Sequence, residues 1–178
     1  MAKPKSSPFV LSNTVMLTAV NQTGTSTIDL GSYVDVASKT GIAIHNVDAV
    51  FQVYDSSSNA VDAPEGLNGD PFWVSAQVFD QTRDAIQLAN DNSLIGSATL
   101  EYNGVYETSN ENDVYPDSYP TPGRLSISPQ LTLVARAAGS AFSSNKNMYV
   151  TFRITAELVK LSEKDWMGIA IQGQALNS

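Results

Sequence analysis

Within Asn147–Leu161 apolar and polar residues alternate over eleven residues. Met148, Val150, Phe152, Ile154, Ala156 and Leu158 fall on one side; Tyr149, Thr151, Arg153, Thr155 and Glu157 fall on the other. Successive side chains of an extended chain point to opposite faces, so a period of two held this long predicts a strand with one buried and one wet face. Pro71–Asp80 repeats the pattern with Phe72, Val74, Ala76 and Val78 on one side. Gly41–Tyr54 does so with Ala43, Val47, Ala49, Phe51 and Val53. Further strands fit Phe9–Val20, Thr25–Leu30, Leu94–Tyr102 and Leu125–Ala137.

Polar turn clusters of unequal spacing separate these runs: Asn21-Gln22-Thr23-Gly24, Asp55-Ser56-Ser57-Ser58-Asn59 and Ser143-Ser144-Asn145-Lys146. Unequal loops disfavour an up-and-down barrel. The expectation is all-β: a single jelly roll or antiparallel β-sandwich of about eight strands. Ser162, with Asp165 three residues on, resembles a capping box ahead of Trp166, Ile169 and Ala170 on one helical face. A short C-terminal helix is therefore expected, with a final strand through Gly168–Ala175 as its rival. Residues 1–8 read as a flexible arm and 9–178 as one domain. The segment 103–124 reads as a long exposed loop stiffened by Pro116, Pro120 and Pro122. Its Tyr106, Tyr115 and Tyr119 suit contact with a neighbouring subunit or a host molecule, against the plainer reading of a surface excursion.

Composition removes most chemistry. The absence of cysteine excludes disulfides, thiolate zinc sites and a cysteine nucleophile, and the single histidine, His45, excludes any site needing two imidazoles. His45 shares the parity of Val47, Phe51 and Val53, so a partly buried structural role is expected. No Gly-x-Ser-x-Gly elbow, dinucleotide fingerprint or phosphate-binding glycine loop occurs. The acid pairs Asp80/Asp84 and Glu111/Asp113 lie in polar stretches where carboxylates are ordinarily just solvated. No catalytic residue, metal ligand or cofactor is assigned. The oxygen-rich runs Asn90-Asp91-Asn92 and Asn110-Glu111-Asn112-Asp113 leave calcium at a subunit boundary as an alternative, although neither fits the twelve-residue calcium loop.

Eighteen acids against 10 bases give a formal charge of −8 and a pI near 4.4, which excludes a generally basic nucleic-acid binder. No run of apolar residues is long enough to span a membrane. No apolar h-region follows Lys3 and Lys5, so no signal peptide is expected. What remains is a sparsely charged chain whose business is its surface.

The layout resembles small single jelly-roll viral coat proteins, most of all those of small circular single-stranded DNA viruses. A short Lys-bearing arm, Ala2–Pro8, leads into Thr27-Ile28-Asp29-Leu30-Gly31-Ser32-Tyr33-Val34-Asp35 and then Gly41-Ile42-Ala43-Ile44-His45-Asn46-Val47. Near the end come Asn147-Met148-Tyr149-Val150-Thr151-Phe152-Arg153-Ile154 and Val159-Lys160-Leu161-Ser162-Glu163-Lys164-Asp165-Trp166. The resemblance implies a non-enzymatic protein of the virion, made in the host cell, whose many copies close into an icosahedral shell around a genome. Such proteins often carry an Arg-rich arm, whereas this one has only Lys3 and Lys5. Either Arg83, Arg124, Arg136, Arg153 and Lys160 gather on an inner surface, or nucleic acid is held weakly. A third option is a shell around a membrane, as in similar proteins of some archaeal and thermophilic-bacterial viruses. Lys3, Lys5 and Arg153 are the candidate inner-surface residues. The competing readings are a carbohydrate-binding sandwich using Trp73 and Tyr149, and a pilus or fibre subunit donating Phe9–Val20.

Overall fold

A computed structural model describes residues 2–62, 71–103, 108–115 and 123–175. The strands are β1 (Lys3–Pro4), β2 (Phe9–Leu17), β3 (Thr23–Asp29), β4 (Thr40–Asp55), β5 (Ala60–Asp62), β6 (Phe72–Phe79), β7 (Leu94–Asn103), β8 (Thr108–Tyr115), β9 (Arg124–Ser126), β10 (Gln130–Gly139) and β11 (Lys146–Lys160). One helix, α1 (Glu163–Ala175), follows them. The pairings between these strands are antiparallel, and they form two sheets. The first runs β2-β11-β4-β9, with β1 extending the β2 edge and β5 also pairing β4; the second runs β3-β10-β6-β7-β8. With β1, β5 and β8 set aside, the eight remaining strands pass between the two sheets at every step but β6 to β7, a pair within the second sheet, which is the jelly-roll order.

The inward faces meet in one core. β11 supplies Met148, Val150, Phe152, Ile154 and Ala156, as its alternation requires; Phe72, Val74, Ala76 and Val78 of β6 face them from the other sheet. Each large side chain buried this way contributes roughly 1.5–3 kcal/mol. The sheets approach closely where Gly96 stands against Val47: a Cβ there would lie 2.9 Å from Val47 Cγ1.

Four details depart from the sequence reading. In β4, Thr155 pairs with Asn46 but Ala156 pairs with Ile44, so His45 is a bulged extra residue. The bulge reverses the alternation. Ile42 and Ile44 face the core before it and Val47 and Val53 after it, so Ala43 and His45 lie on the outer face. The expected strand Leu125–Ala137 is two strands in different sheets, because Pro129 has no N–H for a ladder. Part of the expected loop 103–124 is β8, paired to β7 from Asn103↔Thr108 to Ser97↔Tyr115. Finally, residues read as a free arm lie along β11: Lys3 pairs Lys160, Lys5 N–H donates to Leu158 O at 2.7 Å, and Leu158 N–H donates to Ser6 Oγ. Beyond the end of β2, the backbone groups of β11 need partners, and the arm supplies them.

The C-terminal helix forms as expected. Ser162 Oγ accepts from Asp165 N–H and donates to the Asp165 carboxylate at 2.7 Å. Trp166 and Ile169 pack on Ala43, Val159 and Leu161, an apolar cluster separate from the main core. The helix therefore roofs one end of the outer face of the first sheet.

A candidate assembly surface

Away from α1, that outer face is open. Register sets it in rows across β2, β11 and β4: Met16–Tyr149–Gln52, Thr14–Thr151–Val50, Ser12–Arg153–Asp48 and Val10–Thr155–Asn46. In a chain of charge −8, only one of these rows carries charge, Arg153 beside Asp48. The hydroxyls of Thr14 and Thr151 bond across strands at 2.9 Å, and Tyr54 meets Tyr149 edge-on at 6.1 Å. Val10, Met16, Val50 and Val61 are exposed, which scatters apolar area among hydroxyls and amides. Thr14, Gln52, Tyr54, Val61, Tyr149 and Thr151 line an open groove of about 390 Å³ at the end farthest from α1.

Arg153 sits mid-face and exposed, opposite Asp48 in register yet with no ion pair to it. Lys3 and Lys5 are not brought to it. Lys3 pairs Lys160, seven residues along β11 from Arg153, which is about 23 Å of strand. Lys5 Nζ donates to Thr40 Oγ1 at 3.0 Å. Lys39 precedes Thr40 and reaches Glu163 at 3.6 Å, so Lys3, Lys5, Lys39 and Lys160 share one corner of the sandwich. Sequence reading missed Lys39, because only the pairing of β1, β11 and β4 brings it to the others. Tyr106 and Tyr119 lie outside the described residues; Tyr115 ends β8 opposite Ser97.

The other basic residues have local duties. Arg124 bonds the Asp80 carboxylate at 3.2 Å and Asn92 O at 2.5 Å, tying the end of β6 to β9 across the two sheets. Arg83 grips Asp91 through Nε at 2.9 Å and a second nitrogen at 3.4 Å, while the Ser93 hydroxyl and N–H donate to the same carboxylate. The Asp91 oxygens are thus taken up by a cation and hydrogen bonds. Arg136 reaches Thr23 Oγ1 at 3.3 Å on the second sheet. These arginines do not converge with Arg153 on one surface.

His45 is partly exposed on the bulge, its Nε2 3.3 Å from Glu157 Oε1. The contact ties the bulge of β4 to β11. Among the described residues no three acidic, histidine or cysteine side chains cluster as metal ligands. Trp73 and Tyr149 fall on opposite outer faces, one in each sheet, and so cannot form one aromatic binding surface. No helix among the described residues is long and apolar enough to cross a membrane.

No protein-family model and no curated protein matches the chain. Among solved structures it is similar to VP1 of Trichodysplasia spinulosa-associated polyomavirus. In the complex with GM1 oligosaccharide the identity is 8%, with 89% of this chain and 96% of that one covered at a TM-score of 0.46. In the complex with 3'-sialyllactose the identity is 9%, with coverage of 89% and 97% and a TM-score of 0.43. Scores of this size describe a loose likeness of layout, and the jelly-roll assignment stands on the strand order of this chain.

Proposed function

We propose that the chain is a structural capsid subunit, a single jelly roll that packs against copies of itself to close an icosahedral shell around a viral genome. The reading includes no catalysis and no cofactor, and it places the protein in the virion of a single-stranded DNA virus. The observation that carries it is the jelly-roll pairing order in a chain whose open outer sheet face carries charge in only one of its four rows, that of Arg153 and Asp48. Charged residues are depleted where proteins bury surface against each other, and this face has that composition. The Lys3/Lys5/Lys39/Lys160 corner is the proposed contact with nucleic acid. Few cations release few counterions, so that contact is weak and salt-sensitive. Arg153 belongs to an interface, and the segment carrying Tyr106, Tyr115 and Tyr119 meets a neighbouring subunit or a host molecule. The fibre reading loses its donor strand, since β2 is paired with β11 of its own chain over nine residues.

Light scattering after size exclusion, with negative-stain images of any large species, tests the proposal. Uniform closed particles of megadalton mass holding nuclease-protected DNA are expected. A 19.0 kDa monomer at every pH and salt concentration would overturn it. Half-exposed Trp73 on the second sheet would then favour a glycan-binding module, to be tried by glycan screening.

A further inference from the structure

Two features of the first sheet's outer face lack partners among the described residues, and they lie at opposite ends of it. One is the far side of α1. Trp166 and Ile169 face the sheet, but Met167 and Ile171, one helical turn apart, are 57% and 62% exposed. A helix apolar on two sides is ordinarily buried on two sides. The other is the uncharged groove beside Tyr149 and Thr151.

We infer that two copies of this chain pair face to face, each inserting the Met167/Ile171 side of α1 into the groove of the other. Register makes one symmetry operation serve both contacts. Val159, beneath the helix, and Thr151, in the groove, are eight residues apart on β11, about 26 Å at ~3.3 Å per residue. Thr155 lies midway between them. A two-fold axis passing over Thr155 between the two facing sheets, perpendicular to the strands and parallel to the sheet, carries the helix of each copy onto the groove of the other. The contact is isologous and closes on itself.

Depth and charge agree with this arrangement. A helix is about 10 Å thick with its side chains, so the roofed end of one copy fills the unroofed end of the other. The charges of the helix, Glu163, Lys164 and Asp165, lie in its first turn, where Lys39 and Ser162 of the same chain hold the two acids, and Met167 and Ile171 lie beyond them. The groove is uncharged and is bordered by exposed Arg153, which has no ion pair among the described residues. The strip between the two helices holds Arg153, Asp48, Asn46 and Glu157, polar groups suited to the water that interfaces retain. The pairing deepens the assembly reading but does not require a closed shell.

The test uses the full chain. Met167→Lys and Thr151→Asp each set a charge into the apolar contact, and both positions are at least partly exposed, so folding is expected to survive and a thermal melt verifies it. Each variant alone is expected to sediment as a monomer where the wild type dimerises. An equimolar mixture is expected to recover the dimer, because the introduced lysine of one copy then meets the introduced aspartate of the other while the second contact is native. Since the chain has no cysteine, Met167→Cys combined with Thr151→Cys gives a second readout. The helix is too far from the groove for a disulfide within one chain, so a covalent dimer on mild oxidation reports the pairing directly. A mixture that stays monomeric, or no covalent dimer beyond that of the single-cysteine variants, overturns the inference; either result would also follow if another partner or another segment of the chain covers the groove. Particles that form normally from both single variants remove this pairing and leave the shell reading intact. A cross-linked dimer that never forms particles does the reverse.

Discussion

Asp80 and Asp91 belong to one loop, between β6 and β7, yet their protonation acts on stability in opposite directions. Burial raises the Asp80 carboxyl above its ordinary 3.8, with Arg124 opposing and Asp91 adding to the effect. Burial also works against ionised Asp91, but the hydrogen bonds from Arg83 and Ser93 and the charge of Arg83 outweigh it, and the Asp91 carboxyl is held below 3.8. A lowered folded value gives stability that is present above 3.8 and is lost as pH falls through the folded value. A raised one gives stability present below 3.8 and lost as pH rises through the folded value. Asp91→Asn should therefore cost about 2 kcal/mol at neutral pH, the scale of hydrogen bonds to charged groups, and the gap from wild type should close in acid. Asp80→Asn should instead gain on wild type as pH climbs from below 3.8. Urea melts of the three proteins across this range measure both slopes; parallel curves would refute the assignment.

At the scale of elements, what was legible in the sequence followed from how each strand is buried. β11 from Met148 to Leu158 and β6 from Phe72 to Val78 each turn one set of alternate residues into the core, so these inward residues could be read directly. β4 alternates just as strongly, but the bulge at His45 shifts the phase midway, and the apparent run Ala43–Val47 joined residues from opposite faces. β8, Thr-Ser-Asn-Glu-Asn-Asp-Val-Tyr, is an edge strand, and its polar residues carry no periodic signal. The helix was legible because capping is local: Ser162 and Asp165 are three residues apart in sequence and in contact in space. Since α1 packs outside the main core, it should open on its own. Ser162→Ala is expected to cost about 1 kcal/mol. The loss should appear as faster amide exchange in α1 with β11 unchanged. Equal acceleration in both elements would show that helix and sandwich unfold as one unit.

For the whole molecule the governing quantities are net charge and where it is absent. The order in which strands pair could not be read from alternation, which gives each strand its faces and not its neighbours. For that reason the lysine corner and the isolation of Arg153 emerged only with the fold. The total charge, by contrast, needs no fold. At −8 per copy, subunits that meet through a nearly uncharged face still repel through their remaining surfaces, and that repulsion grows with every copy added. Carboxylates have ordinary values near 4, so a fraction of them is protonated at pH ~5 and almost none at pH ~8. Particle yield at low salt should accordingly be higher at pH ~5. If charge alone is the cause, salt must substitute for acid, because the screening length falls from about 10 Å at 0.1 M to about 3 Å at 1 M. Yield at pH ~8 should then rise with salt towards the pH ~5 value. The Met167–groove contact is apolar and should keep its strength in the same titration. Light-scattering mass across the two pH values and a salt series separates these effects. Equal low-salt yields at both pH values would mean that self-repulsion does not limit assembly.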